Sequence, residues 1–352
     1  MQALFDIINM PLGIVLKFIA GIFSGNFAAA VFVFTLLINL ALIPLSIKSQ
    51  KSSVQQTRIK PKLDELKKRC GDDKQKYSME MQKLYQEENV SMSGGCLPMI
   101  FRLILMMSIY YLIMSPLTYM TGVDKTQLNN VSKTITAGMK DLKKEDSKKY
   151  DEYKSKLNWQ EGGRNNELGI VSVIRGEKEI LAEILSEKDF KKIEADLDKI
   201  TEKDKEVGIN YNFFTEKINL TESPEFSMNI KEAWKPIWLM PLLAFAAQMF
   251  TSWLSMKMQK KINPEAPSMA GMMLTMPLIS LFIGFALPGG VTFYWACSSL
   301  VGGFIQIGVQ QFYGPHKMLA RERMKELSVQ CDFEAGQIKK LGGFVQNENG
   351  EN

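Results

Sequence analysis

Histidine is almost missing from this chain. Its single copy among 352 residues, His316, lies beyond the last apolar segment, so a Ser/His/Asp triad or a multi-histidine metal site would have one residue to be built on. Cysteine is nearly as scarce: Cys70, Cys96, Cys297 and Cys331 form no CxxC pair, and none falls in the long polar stretch at mid-chain. Neither zinc-ligand spacing nor a disulfide framework is therefore expected. There is no GxxxxGK[ST] loop and no GxGxxG after a strand-like run, which removes the usual nucleotide-driven engines. The expectation is a protein without metal or cofactor that is not an enzyme.

Charge is absent in a more telling way. No charged residue occurs in Phe27 to Ile47, Pro236 to Met256, Met269 to Leu287 or Val291 to Tyr313, and Pro98 to Leu117 carries only Arg102. The mean hydropathy of -0.08 conceals this segregation, since the charge is concentrated in Tyr119 to Glu232, with 20 Lys+Arg and 23 Asp+Glu. About 20 residues of helix cross the roughly 30 Å of a bilayer's hydrocarbon core, so each uncharged run has spanning length. The pattern predicts an all-α polytopic membrane protein with five transmembrane helices, over 26–47, 95–118, 233–256, 269–287 and 289–313. A small domain, 119–232, is inserted between the second and third.

Basic residues choose the orientation. The loop 48–93 holds 11 Lys and Arg, the short loop 257–268 adds Lys257, Lys260 and Lys261, and the tail 314–352 adds Lys317, Arg321, Arg323 and Lys325. The positive-inside rule places all three in the cytoplasm and the insert outside, because long loops cross largely regardless of charge. Residues 1–25 are apolar but interrupted by Asp6, Pro11 and Lys17, with Phe5, Ile8, Leu12, Val15, Leu16, Ile19 and Phe23 mostly on one helical face. They read as a helix in the outer interface, with a sixth span as the alternative. The amino terminus is outside in the first case and inside in the second.

The cytoplasmic loop reads as a helical hairpin. Ser46 to Arg69 and Lys74 to Glu88 are rich in good helix formers, and Cys70-Gly71-Asp72-Asp73 has turn chemistry. Val54, Ile59, Leu63 and Leu66 would zip against Met81, Leu84 and Tyr85, with Lys60, Lys67, Lys68 and Arg69 as a basic contact surface for a partner. The insert reads as α/β or mainly helical: strands around Ile170, Val171, Val173 and Ile174 and over Gly208 to Leu220, and a helix over Lys178 to Ile200. Its carboxylates alternate with lysines at helical spacing, which marks a solvated face.

One charge inside an apolar run asks for a reason, because it costs about 2.5–3.5 kcal/mol on insertion scales. Arg102 follows the pair Gly94-Gly95 by about 10 Å of helix, and Asn39 precedes Ile47 by a similar rise, so the two lie at matching depth in the cytoplasmic half. Either Arg102 snorkels to the headgroups while Asn39 is interhelical glue, or both hydrate one groove open to the cytoplasm. Thr35, Gln248, Ser252, Ser298 and Gln306 fit the groove. The many methionines nearby, among them Met99, Met106, Met107, Met114, Met249, Met272, Met273 and Met276, suit varied apolar partners or simple core filling.

The run Asn39-Leu-Ala-Leu-Ile-Pro44-Leu-Ser-Ile-Lys48-Ser-Gln-Lys51, the hairpin with Gly71-Asp72-Asp73-Lys74 and Lys83-Leu-Tyr85, the junction Gly94-Gly-Cys96-Leu-Pro98, and Leu287-Pro-Gly-Gly-Val-Thr-Phe-Tyr294-Trp295 resemble the YidC/Oxa/Alb membrane protein insertases. The resemblance covers about the first 118 residues and Ala233 to about Tyr313. It implies a five-span core around a hydrophilic groove, and insertion and folding of membrane proteins alone or beside the Sec translocon. Partners would be nascent membrane proteins, the translocon, the ribosome or signal-recognition machinery, and membrane lipids, without a specific nucleic-acid site. Thr35, Tyr294 and Trp295 match groove-lining positions of that family. Its members usually place an arginine where this chain has Asn39 and an uncharged polar residue where it has Arg102. Given the matched depth of the two positions, the expectation is a groove charge moved from the first span to the second. A long insert where relatives have a short loop, and a tail whose bases are balanced by Glu322, Glu326, Asp332, Glu334, Glu348 and Glu351, are further departures, and the tail argues against strong ribosome tethering. Two other classes fit parts of the pattern: a small transporter or channel, which would show internal repeats and broken helices, and a scaffold that only anchors the outer domain.

Overall fold

Apolar runs free of breakers become helices throughout the structure, a computed structural model that describes residues 2–71, 73–88, 90, 97–159, 166–213, 217–224, 234–262 and 270–348. No strand occurs among them; the β pairings there are isolated bridges, Asn26 with Asn210 and Asn212 with Asn219. The helices are α1 (Gln2–Ile22), α2 (Phe27–Ala41), α3 (Ile43–Cys70), α4 (Lys74–Glu87), α5 (Leu97–Met114) and α6 (Pro116–Tyr119). After them come α7 (Lys125–Glu145), α8 (Ser147–Lys156), α9 (Glu167–Arg175), α10 (Lys178–Ile184) and α11 (Glu187–Val207). A 3-10 turn, Pro236–Trp238, leads into α12 (Leu239–Ile262), followed by α13 (Ala270–Phe285), α14 (Gly289–Tyr313) and α15 (Pro315–Glu348).

Among the described residues three or four helices have spanning length, against the five expected. By length and composition, Phe5–Ile22, Pro236–Met258 and Gly289–Tyr313 are each sufficient to cross a membrane, and Phe27–Ala41 with Ile43–Ser52 makes a fourth if that broken pair is one span. The break falls at Leu42, two residues before Pro44, whose ring crowds the Leu40 carbonyl and which lacks the N–H to bond back to it. Leu103–Met114 and Thr275–Phe285 are apolar but shorter. Pro116 removes the donor that would extend α5, and Pro288 follows the end of α13. The junction Gly94 to Cys96 and the loop 263–269 lie outside the described residues.

The chain divides into two compact units, the first of Met1–Ala41, Phe101–Met258 and Glu265–Phe304, the second of Leu42–Ile100, Gln259–Pro264 and Ile305–Asn352. In the first unit one apolar cluster runs without a gap from Leu16, Phe27 and Phe34 through Ile109, Leu112 and Leu117 to Leu128, Ile135, Ile170 and Ile193. The insert is thus built onto the apolar helices. Its amphipathic α7 turns Leu128, Val131, Ile135 and Met139 inward at helical spacing, as α11 does with Ile193, Leu197 and Ile200.

Two strand expectations fail here. Ile170, Val171, Val173 and Ile174 lie on helix α9, buried on nearly every side, and a helix wrapped by neighbours loses the 3.6-residue polarity that would have betrayed it. Gly208 to Leu220 makes bridges and turns, since Asn210 pairs with the α1–α2 junction instead of extending a ladder. Arg175 ties the helical insert together. Its guanidinium donates to both Asp204 carboxylate oxygens at 2.8 Å and to the Ile209 carbonyl at 2.7 Å, and stacks 4.7 Å above the Tyr211 ring.

The second unit contains the hairpin of α3 and α4. Asp73 caps α4 by accepting from the Lys76 amide at 3.0 Å, and Gly71 turns the chain at φ +56°, where a β-carbon is strained. Ile59 and Leu66 are buried in the zipper, Leu63, Met81, Leu84 and Tyr85 half-buried, and Lys62 pairs with Glu88 at its edge. The side chain of Val54 and residue Asp72 lie outside the described residues. The long α15 packs on α3.

Candidate functional site

Polar side chains inside apolar helices must find partners, and those partners are where the structure adds to the sequence. On α2, Thr35 is fully buried and Asn39 nearly so. The Thr35 hydroxyl donates to the Val31 carbonyl at 2.6 Å and the Asn39 amide to the Thr35 carbonyl at 2.8 Å, one polar ladder along a single face two residues before α2 ends. Arg102 stands in the first half of α5, and its side chain lies outside the described residues.

Gln248 on α12 accepts from the Ser280 hydroxyl of α13 at 2.6 Å, an interhelical bond of the kind worth about 0.6–2 kcal/mol in lipid. Ser298 and Trp295 on α14 are half-buried, and Tyr294 is buried. Trp295 packs against Ala244, Ala247 and Ala296, so α12 and α14 approach closely there. Ser252 is half-buried on α12. Gln306 belongs to the second unit, where it bonds to Gln50 at 3.5 Å. Met106, Met107, Met114 and Met249 are half-buried and Met276 is exposed, while the side chains of Met99, Met272 and Met273 lie outside the described residues.

Sequence reasoning missed three members of this polar set. Ser280 and Gln50 are the partners of Gln248 and Gln306. Ser108, six residues beyond Arg102 on α5, is fully buried with a hydroxyl that has no partner among the described residues. Serine passes unnoticed in an apolar run because it is small and tolerated in membrane helices. Only its position relative to Arg102 could have drawn attention to it.

The first unit is closed at the end of α14 where that helix begins. The amides of Gly289 and Gly290 donate to the carbonyls of Glu222 and Leu220 at 2.8 and 2.7 Å, satisfying helix donors that otherwise have no partner. A β-carbon on Gly290 would sit 3.1 Å from Ile113, 3.2 Å from the Leu220 carbonyl oxygen and 3.3 Å from Phe27, so α2, α5, α14 and the insert meet at this glycine. The glycines of the Leu287-Pro-Gly-Gly motif permit this close approach of the insert to the start of α14.

Lys60, Lys67, Lys68 and Arg69 are all exposed on α3. Arg69, with Lys62, Glu65, Glu80, Lys83 and Glu87, lines a cleft of about 420 Å³ between α3 and α4 in which both signs of charge alternate. Among the described residues no group of three or more His, Cys, Asp or Glu is placed to hold a metal.

Comparison with known proteins accounts for this arrangement. The family model described as 60Kd inner membrane protein matches residues 18–206 and 208–316. The chain is 43% identical over 107 residues to the membrane protein insertase YidC of Cellvibrio japonicus, which is 30% of this chain and 19% of that protein. It is 41% identical over 103 residues to that of Caldanaerobacter subterraneus subsp. tengcongensis, 29% of this chain and 50% of that protein. It is also 41% identical over 105 residues to that of Haemophilus influenzae, 30% of this chain and 19% of that protein. The matched stretches span half or less of the length of these curated relatives. With a family match across most of its length and several helices of spanning length and composition, this multi-pass membrane protein belongs to the 60Kd inner membrane protein family.

Proposed function

We propose that the chain is a membrane protein insertase, which moves segments of nascent membrane proteins from the cytoplasm into lipid and helps them fold. The observation that carries this reading is the family match over residues 18–206 and 208–316, with relatives named as insertases. No bond need be made or broken. Transfer of an apolar segment out of water supplies the free energy, and the protein lowers the barrier for the polar part that must cross with it.

In this reading the apolar helices 26–47, 95–118, 233–256, 269–287 and 289–313 surround a groove open to the cytoplasm, and 119–232 lies outside. Arg102, Thr35 and Asn39, with Ser108 beside them in the polar set, offer a positively charged, hydrogen-bonding surface to an acidic translocating segment. The close contacts at Gly290, where a β-carbon would lie 3.1–3.3 Å from Ile113, Leu220 and Phe27, support closure on the outer side. Helix α1 lies in the outer interface: the Phe5 ring meets that of Tyr111 at a tilt with centroids 5.2 Å apart, Asp6 accepts from Tyr119 at 2.6 Å and pairs with Lys125 at 2.8 Å, all at or beyond the far end of α5. The exposed bases of the hairpin and the alternating charges of its cleft serve as the surface that receives substrate, ribosome or signal-recognition machinery, with the Sec translocon as a further partner.

The test uses purified protein in proteoliposomes and a small single-span substrate with an acidic translocated end. Protection of that end from protease should exceed protection in empty liposomes. Arg102→Ala should lower it roughly fivefold, the factor for about 1 kcal/mol of charge attraction, and adding Asn39→Arg should restore it. Background protection beside a working insertase control would refute the activity. An unchanged Arg102→Ala variant would refute the relocated charge.

A further inference from the structure

The face of α1 turned away from the protein is apolar and carries one cation. Ile7, Met10, Ile14, Phe18 and Ile22 are 54–72% exposed and follow one another at three- and four-residue intervals, so they form a stripe along the helix. Lys17, the one basic residue before Lys48, stands beside it. Here α1 and the segment after α6 enclose a mainly apolar cleft of about 720 Å³, whose lining includes Ile14, Lys17, Phe18, Gly21, Met120 and Gly122.

Two glycines shape the cleft. A β-carbon on Gly13 would meet the Tyr119 carbonyl oxygen at 2.3 Å, which holds α1 tight against α6 at one end, whereas Gly21 faces open space with nothing within 4 Å. A second cation reaches the rim: the Lys203 ammonium donates to the Gly122 carbonyl at 3.0 Å and keeps further protons for another acceptor. Asp124, whose carboxylate accepts from the Thr126 amide as the cap of α7, also faces the Lys203 charge, so Lys17 carries the net positive charge of the rim. No salt bridge holds Lys17 among the described residues.

We infer that this cleft holds one anionic phospholipid of the outer leaflet, an acyl chain along Ile14, Phe18 and Gly21 and the phosphate between Lys17 and Lys203. The inference rests on charge complementarity: the net charge of Lys17, with the Lys203 ammonium as a further donor, at the mouth of an apolar trough matches a diester phosphate above hydrocarbon, and neither a polar solute nor an uncharged lipid uses both features. A lysine near an anionic membrane surface contributes about a fivefold preference. It deepens the reading above only in assuming that α1 lies at the outer interface, and its test does not depend on insertion activity.

The full-length protein in detergent would be titrated with dioleoyl-phosphatidylglycerol or dioleoyl-phosphatidylcholine, and lipid retained per chain counted by native mass spectrometry. The wild type should retain one phosphatidylglycerol about fivefold more firmly than phosphatidylcholine. Lys17→Gln should abolish the preference, Lys17→Arg should keep it, and Gly21→Leu, whose β-carbon meets nothing within 4 Å, should expel the lipid while helical circular dichroism stays unchanged. Equal retention of the two lipids by the wild type, a preference surviving in Lys17→Gln, or lipid surviving in Gly21→Leu would each overturn the site. Should the lipid bind while proteoliposome insertion fails, the insertase reading falls and the site stands; the converse outcome removes the site alone.

Discussion

Single residues in this protein do work that their neighbours in sequence do not reveal, and Glu167 is the clearest case. It is 2% exposed at the first turn of α9, where its carboxylate accepts from the Thr118 amide at 2.8 Å and the Thr118 hydroxyl at 2.6 Å, closing the start of α6 from across the fold. Burial outweighs those donors and pushes the carboxyl up to about 7, from an ordinary value near 4.5. Between those two values the folded protein keeps a proton that the unfolded chain has released. Stability is therefore greatest below pH 4.5 as far as this group is concerned, falls as pH rises through the window, and is lower by about 3 kcal/mol above pH 7. Thermal unfolding in detergent should show that fall between pH 5 and 7.5, and Glu167→Gln should flatten it, matching the wild type at pH 5 and exceeding it at pH 8. A slope unchanged in Glu167→Gln would assign the pH dependence elsewhere. In the sequence Glu167 is one of the insert's many carboxylates, all expected at a solvated face; the difference is burial, which charge spacing does not encode.

At the scale of elements, the junctions between helices carry the fold. Ser24 and Gly25 turn α1 into α2 with φ of +52° and +80°, and the Gly25 carbonyl accepts from the Asn210 amide at 2.8 Å while Phe27 donates back to Asn210 at 3.0 Å. A β-carbon on Gly25 would lie 2.1 Å from the Gly208 carbonyl oxygen, at a φ that side chains rarely adopt. Gly25→Ala should therefore destabilise the first unit by more than about 2 kcal/mol. It should also speed proteolysis around Gly208 to Leu220, with the hairpin's cleavage unaffected; an unaltered digest would show that this junction is slack. The helices themselves were legible in the sequence wherever period and breakers agree, as in α4 with its Asp73 cap or α7 with its inward stripe. They were illegible in α9, since a short run buried on all sides looks the same as a buried strand.

Across the whole molecule, the insert and the apolar helices of the first unit share one hydrophobic cluster, and the insert's backbone supplies acceptors for the start of α14. Replacing 125–224 by a short linker should consequently uncover Phe27, Ile113 and Gly290 and leave a chain that does not purify as a monodisperse species by gel filtration. A stable excised chain that still protects substrate would mark the insert as an accessory. Such an outcome would also favour a detachable scaffold role over the sealing role given to Leu220 and Glu222. By itself the sequence determined the multi-pass character and the helical hairpin, because these depend on local quantities: runs without charge, helix period and turn residues. Tertiary structure alone decided that Glu167 is buried, that Gln248 meets Ser280 and Gln306 meets Gln50, and that the insert meets the start of α14 at Gly290. Those outcomes depend on which distant segments share space. Burial and pairing are properties of the neighbours a residue acquires on folding, and the chain order of one residue does not contain them.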